Sequence, residues 1–269
     1  MDREEAYEKS YVLSNPSNLQ LEGFDKKTKR YLKAVQQNKN MSLKEYLSNY
    51  LLAKGVFYSS KNFLKKAPGT HYEYSNIASA LAAYCITVKS GLSFADFTQK
   101  YVFDVVGMSG TGWSYDAVSQ GLHAKTYTPN GTAYPEYSLI TYPDGGLRTS
   151  IVDLTTYMQA CIRGFHGEAN IVQTDSYQDM LKARITEIQY GPDGDSSENY
   201  GYFWEVMSNG SFGHNGGDPG IFTLMYYSEE YHTGAIFFTN TDVLNNPLAT
   251  RQVKAVWQIL RDFQKSQKL

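Results

Sequence analysis

Several things are scarce in this chain, and each scarcity excludes something. No apolar run approaches the roughly 20 residues that a membrane-spanning helix needs. Twenty-five Lys and Arg stand against 27 Asp and Glu, a net charge of −2, so there is no basic surplus of the kind that grips nucleic acid or an anionic membrane surface. Blocks of like charge, low-complexity tracts and internal repeats are all missing, which argues against disorder and against a solenoid. The first residues, Met1-Asp2-Arg3-Glu4-Glu5, are acidic where a secretory leader is basic and then apolar, and they give no address to a compartment. There are only two cysteines, Cys85 and Cys161. Both fall at apolar positions of helix-like stretches, so buried free thiols are expected rather than a bridge. Of the five histidines, His71, His123, His166 and His232 show no metal-ligand spacing, and neither a zinc site nor any other cofactor is expected.

What remains is a globular chain. At 269 residues, with 42% hydrophobic and 19% charged residues, it can bury a substantial core as one large domain spanning 1–269. Aromatics are plentiful, with 23 Tyr and 13 Phe. Tyrosine pairs an apolar body with a polar tip, which suits a wide, semi-polar cleft and equally an ordinary sheet surface.

Residues 1–40 are polar, with a helical hint only around Tyr31, Leu32 and Val35. From Met41 the pattern sharpens. Ser42 caps a helix through Leu43, Tyr46, Leu47 and Tyr50, with Glu45 in the capping-box position. After the Pro68-Gly69 turn, Asn76 is the expected cap of a helix whose apolar face is Ile77, Leu81, Tyr84, Cys85 and Val88, closed by Gly91. A further helix begins near Ser93. Gly107 to Gly146 is rich in Gly, Thr, Tyr and Pro, as in loops that line a functional face. Ser150 opens a helix through Leu154, Tyr157, Met158 and Cys161. After an acidic loop, Gly191 to Asn199, the aromatic and β-branched runs Gly201–Met207, Gly220–Tyr227 and Thr233–Asn240 read as antiparallel strands. A last amphipathic helix carries Val253, Val256, Trp257, Leu260 and Phe263 on one face. Residues 1–200 thus form a mainly helical and loop lobe, and 201–269 a strand-rich part with a closing helix.

Two segments stand out as site rather than scaffold. In Pro68-Gly69-Thr70-His71-Tyr72-Glu73-Tyr74-Ser75-Asn76 a turn delivers Tyr74, Ser75 and Asn76 to a helix start, where unpaired N–H groups favour a phenolate or an anionic substrate group. The alternative is that Tyr74 packs and Asn76 only caps. In Phe212-Gly213-His214-Asn215-Gly216-Gly217-Asp218-Pro219-Gly220 the glycines let backbone N–H groups approach a ligand as an oxyanion hole requires, with His214 beside them. A plain glycine-rich hairpin is the alternative there.

Together the two segments resemble serine hydrolases of the class C β-lactamase and penicillin-binding-protein type. Tyr74-Ser75-Asn76 looks like their Y-x-N motif, and His214-Asn215-Gly216 like the H-x-G form of their K-T-G motif. Ala67-Pro68-Gly69-Thr70, Val106-Gly107-Met108-Ser109-Gly110-Thr111 and Asp144-Gly145-Gly146-Leu147 are similar to other signposts of the family. The resemblance runs from about Met41 to the C-terminus. It implies an α+β fold, in which an antiparallel sheet flanked by helices stands beside a largely helical lobe with the site between them. It also implies acyl-enzyme hydrolysis of an amide or ester: a β-lactam, a D-alanyl peptide or a simple ester. Tyr74 would be the general base, His214 would hold positive charge or a hydrogen bond near Tyr74, Asn76 would orient the substrate amide, and the Gly217 N–H would supply half of an oxyanion hole. Ser75, Asn215 and Gly216 would line the substrate site. The partner is then a small molecule or peptide.

One element of the pattern is missing. The family's nucleophile is the Ser of an S-x-x-K motif, and no serine from Ser10 to Ser266 has Lys three positions on; Ser42-Leu43-Lys44 and Ser59-Ser60-Lys61 miss the spacing. No G-x-S-x-G elbow replaces it. The expectation is a fold that is incomplete at its N-terminal side, a piece of a longer hydrolase. The alternative is a non-catalytic binding module that keeps the cleft. If the N-terminal strands are absent, the strands around Gly220 to Tyr227 and Thr233 to Asn240 are expected to leave a sheet edge unpaired and open to another chain.

Overall fold

The computed structural model of the protein describes residues 2–185, 198–244 and 246–267, so the acidic loop expected from Gly191 lies outside the described residues as far as 197. The architecture is α+β. Each main helix begins where the sequence supplies a side-chain acceptor for an orphan N–H. Asp25 accepts from the Thr28 amide at the start of α1 (Lys26–Val35), and Ser42 from Glu45 at the start of α2 (Leu43–Leu51). Ser150 accepts from Asp153 ahead of α4 (Ile151–Phe165), and Asn246 from Ala249 ahead of α6 (Pro247–Ser266). Between them lie α3 (Asn76–Ser90), which Gly91 ends in the left-handed conformation at φ 73°, and the short α5 (Thr174–Met180).

Two short strands, β1 (Tyr11–Leu13) and β2 (Tyr137–Leu139), pair antiparallel. Nothing in the polar first 40 residues pointed to β1, because three residues carry too little alternation to show a period of two. The main sheet is antiparallel in the order β3 (Glu198–Tyr200), β4 (Glu205–Met207), β5 (Phe212–Asp218), β6 (Ile221–Ser228) and β7 (Thr233–Thr239). The run read as a strand from Gly201 to Met207 is instead a tight connection followed by β4. The cause is local: a Cβ on Gly201 would fall 2.0 Å from the Met180 carbonyl oxygen, and Phe203 takes a left-handed φ of 64°. β7 ends the sheet among the described residues.

The core has three centres. Tyr46, Leu47 and Tyr50 of α2 pack on Ile77 and Ala80 of α3 and on Ile140. Fully burying a large apolar side chain there contributes about 1.5–3 kcal/mol. Cys161 of α4, Tyr177 and Leu181 pack on Trp204, Phe212 and Tyr227, which attaches the helical lobe to the sheet. Tyr11, Leu13, Val35 and Leu139 form the third centre around the β1–β2 pair.

The helix faces differ in detail from those read off the pattern. Ser75, not Asn76, caps α3, accepting from the Ala78 amide at 3.1 Å, and Asn76 is the first helical residue. The buried side of α3 is Ile77, Ala80 and Ala83, whereas Leu81 and Val88 are exposed. Small alanines let the helix lie close to its neighbours, and that close approach outweighs burial of the longer stripe. Cys85 is therefore exposed, contrary to expectation, while Cys161 is buried and free, its thiol pushed up to about 12 by burial. On α6, Ala249 and Gln264 are buried and Trp257 packs edge-on to Tyr226, while Val256, Ile259 and Phe263 face outward.

Asp153 joins two parts of the lobe. Its buried carboxylate accepts from the Gly110 amide and the Thr111 hydroxyl, both at 2.8 Å. Asp153→Ala leaves the half-buried Gly110 amide unpaired and the Thr111 hydroxyl with Thr149 as its remaining partner, and is expected to cost about 1–2 kcal/mol in urea-induced unfolding; a loss under about 0.5 kcal/mol would show that this link is not structural.

Candidate active site

A cleft of about 580 Å³ opens between the N-terminal end of α3 and the β3–β5 part of the sheet, lined by Tyr72, Tyr74, Ser75, Phe94, Asp144, Tyr200, Tyr202, Phe203 and His214 among others. Its walls are mainly aromatic, with a few polar atoms converging at one end, the usual make-up of a small-molecule site. Tyr74 and His214, 140 positions apart in sequence (214 − 74), face one another across it with ring centroids 6.0 Å apart. Ser75 lines the same cleft while capping α3.

The β5 ladder decides where the glycine-rich segment puts its side chains. β5 pairs with β6 from Phe212↔Tyr227 through His214↔Met225 to Asp218↔Ile221. Alternation then sends Phe212, His214 and Asp218 to the face shared with the helical lobe, and Gly213, Asn215 and Gly217 to the opposite one. Asn215 accordingly donates to the Glu205 carboxylate at 2.9 Å, and the Tyr226 hydroxyl donates to the same carboxylate. Asn215 is thus a structural contact behind the sheet and not, as the resemblance implied, a cleft residue. Gly216 and Gly217 contribute backbone alone. A Cβ at Gly216 would meet the Thr223 hydroxyl at 2.7 Å, and one at Gly217 the Leu244 side chain at 2.9 Å. β4 pairs with β5 only at Gly213 and Phe212, so from His214 onward the outer edge of β5 has no ladder partner among the described residues. Exposed N–H and C=O groups on such an edge suit an extended substrate backbone.

Asn76 does not line the cleft. Its backbone N–H, like that of Ile77, points to the Asp2 carboxylate, which also accepts from the Ser75 hydroxyl at 2.6 Å. The helix start does hold an anion, as its exposed N–H groups and dipole favour, but the anion comes from the chain itself.

Electrostatics set the protonation of the site. Burial, then Tyr200 and the carboxylates of Asp144, Glu205 and Asp2, raise the pKa of Tyr74 above that of an ordinary phenol. Tyr74 is therefore a hydrogen-bond donor at neutrality, and a cation close by would be needed to make it a base. Asp144 is the second unusual group. Burial pushes its carboxyl up to about 8 against the pull of the Thr141 hydroxyl beside it and of the Tyr7 hydroxyl, which donates to it at 3.0 Å. Asp218 on β5 is held near 6 by burial while accepting from the Tyr11 hydroxyl.

The residues that sequence reading missed are mostly the aromatic wall. Tyr200 stacks on Tyr72 at 4.8 Å, and Arg184 lies 3.9 Å over the Tyr202 ring at the rim. The signal was present as the run Tyr200-Gly201-Tyr202-Phe203-Trp204, but it is also what a strand looks like. Asp144 was visible only as part of a signpost.

Comparison with known proteins identifies the family and the fold. The sequence profile of the Beta-lactamase family matches residues 35–256. Among solved structures, the chain is similar to a penicillin binding protein from Bacillus halodurans at 18% identity and TM-score 0.60, covering 80% of this chain and 63% of that one. It is similar to a D-stereospecific amidohydrolase from Streptomyces sp. at 18% and 0.52, covering 66% and 52%. It is also similar to D-amino acid amidase from Ochrobactrum anthropi SV3, at 18% and 0.62, covering 84% and 65%. The chain spans between about half and two thirds of the length of these structures. None of the curated proteins matches it.

Asp144 generates a pH prediction. Its folded carboxyl holds a proton up to about 8, whereas an unfolded aspartate releases it near ~3.9. The folded state therefore binds more protons over that window, and the stability linked to this group is complete below about pH 4 and is lost as pH rises through 8. Asp144→Asn, which imitates the protonated form and still accepts from Tyr7, is expected to match the parent near about pH 4.5 and to melt several degrees higher near about pH 8.5. Parallel melting curves across that range would refute the assignment.

Proposed function

The chain belongs to the Beta-lactamase family, and on that premise we propose that it carries the base-and-binding half of an acyl-transfer site whose nucleophilic serine lies outside these 269 residues. The observation that carries the proposal is the pairing of Tyr74 with His214 across an aromatic cleft beside an open strand edge, in a chain where no serine has Lys three positions on.

Three further features support it. Burial holds both Tyr74 above the ordinary phenol range and Asp144 above the ordinary carboxyl range; a cation at that end of the cleft, such as the lysine of an S-x-x-K motif, would favour both the Tyr74 phenolate and the Asp144 carboxylate. β7 ends the sheet among the described residues, and Val256, Ile259 and Phe263 of the adjoining α6 are exposed, so paired strands with an apolar face would complete both. The chain is also shorter than the structures it resembles.

In the completed site the serine Oγ forms a bond to the substrate carbonyl carbon as its proton passes to the Tyr74 phenolate. The amide or ester bond then breaks, the leaving group takes that proton, and water repeats the sequence to release the acid. The Gly217 N–H would hold one side of the developing oxyanion, with the serine's own N–H as the other. His214 would support the charge on Tyr74. An aromatic cleft suits an amide or ester whose acyl part carries an apolar or aromatic side chain, and the similar amidase from Ochrobactrum anthropi SV3 was crystallised in complex with L-phenylalanine.

Intact-mass spectrometry after incubation with a fluorophosphonate or penicillin tests the proposal. Residues 1–269 alone are expected to gain no adduct. The same chain joined to the S-x-x-K-bearing segment of its gene is expected to gain one, on that serine, at a rate reduced about 10²–10⁴-fold by Tyr74→Phe. A stoichiometric adduct on a serine of this chain would overturn the proposal. So would an S-x-x-K serine that stays unlabelled, or a gene without one, and the cleft would then belong to a binding module. By light scattering, the 269 residues alone are expected to associate and the joined chain to be monomeric; a monodisperse monomer of residues 1–269 would show that the β7 edge needs no further cover.

A further inference from the structure

Away from the cleft, the structure gathers two histidines and a glutamate that the sequence keeps far apart. His166 follows the last turn of α4, and Glu229 and His232 sit in the turn between β6 and β7. One ligand atom from each lies within 4.8 Å of the other two. His166 Nε2 is 3.6 Å from Glu229 Oε2, and the hydroxyl of the fully buried Tyr227 stands 2.8 Å from His166 Nε2 and 3.2 Å from His232 Nδ1. None of the four residues lines the cleft.

We propose that His166, Glu229 and His232 bind a first-row divalent cation of the Zn²⁺ type, with the Tyr227 hydroxyl beside a fourth position that water completes. This inference is independent of the reading of the cleft. The donor set, two imidazoles and one carboxylate, is a common one for Zn²⁺. A tetrahedral site with bonds of about 2.0–2.1 Å needs ligand atoms roughly 3.3 Å apart, so the His166 to Glu229 distance already fits. The exposed imidazoles of His166 and His232 need only small rotamer changes to close the remainder.

Two further observations point to the same place. Glu229 Oε2 is buried, and its neighbours are the other members of the cluster, the His166 ring at 3.6 Å and the Tyr227 hydroxyl, so a cation placed among them would offset the cost of burying that oxygen. His232 also adopts a left-handed φ of 51°, a conformation unfavourable for a residue with a Cβ and often kept for the sake of a side chain's position. Binding would tie the end of α4 to the turn that leads into β7, fastening the edge strand to the helical lobe.

The expectation of no zinc site rested on spacing along the chain. Glu229 and His232 are three apart, but the third ligand is 63 positions before the first of them (229 − 166), and only the packing of α4 on the sheet closes that distance.

The test uses the untagged chain with Cys85→Ser, since that thiol is exposed and could bind metal by itself. Calorimetric titration with Zn²⁺ is expected to give one site per chain with micromolar or tighter affinity, and saturating Zn²⁺ to raise the melting temperature by roughly 5 °C or more. His166→Ala and His232→Asn are each expected to weaken binding at least tenfold. Asn tolerates the left-handed backbone, so His232→Asn should melt no lower than the parent without metal, which separates loss of ligation from loss of fold. Cobalt substitution is expected to show the visible absorption of a four-coordinate site in the parent alone. Absence of saturable 1:1 binding, or affinity unchanged by both His166→Ala and His232→Asn, would overturn the proposal and leave a hydrogen-bond cluster around Tyr227.

Discussion

Two buried carboxylates, each capped by a tyrosine hydroxyl, hold the candidate site together. Tyr7 donates to Asp144 in the loop ahead of α4, and Tyr11 donates to Asp218 at the end of β5. Carboxylates this deeply buried are expensive unless they are hydrogen-bonded or protonated, so the segment that carries Tyr7 and Tyr11 has one favourable position. That position places β1 beside β2, sets the Asp144-Gly145-Gly146 turn against the cleft, and joins the loops of the helical lobe to the sheet. Burial and the carboxylates also lift both tyrosines far from ionisation, so they act as neutral donors throughout the accessible pH range.

Given that join, the β5–β6 register distributes the roles. With His214 opposite Met225, the imidazole faces the cleft and Asn215 cannot. A slip of one residue would reverse them, presenting Asn215 to Tyr74 and burying His214 against Glu205. Phe212 and Tyr227 hold the register by packing into the same core as Cys161, Tyr177 and Trp204. The row that positions His214 thus also supplies the apolar contact between lobe and sheet, and Tyr227 extends it to the His166, Glu229 and His232 cluster. One face of two adjacent strands serves the cleft, the core and the second cluster in turn.

The protonation pattern of the cleft follows from which charges reach it. Tyr74 meets carboxylates and another phenol, all of which oppose a phenolate, and the Arg184 guanidinium is at the rim, paired with Asp179 at 2.6 Å. A hydrolytic tyrosine base needs the opposite arrangement. The facing of Tyr74 and His214 suits a base and its support, while the charge balance around them calls for a further cation. That contrast and the missing S-x-x-K motif point the same way: catalysis needs this chain together with another segment that brings both a serine and a cation.

The sequence by itself determined the fold class, the family, the starts of α2 and α4, the strands β6 and β7 and the two segments that face one another at the cleft. These depend on local chemistry: a serine acceptor at a helix start, alternation along a strand, or a motif whose order along the chain survives. It did not determine which side of α3 is buried, the fate of Asn215 and Cys85, the turn at Phe203, the short strand β1 or the meeting of His166 with Glu229 and His232. Each of these depends on what lies opposite in space. Alanines win the buried side of α3 because a neighbouring helix approaches closely, Asn215 faces Glu205 because a register of two leaves no other side, and His166 meets the β6–β7 turn because α4 crosses the sheet there. Periodicity along one chain reports that an element has an apolar side, but the partner that covers it, and the groups brought together as it does so, are properties of the packed molecule.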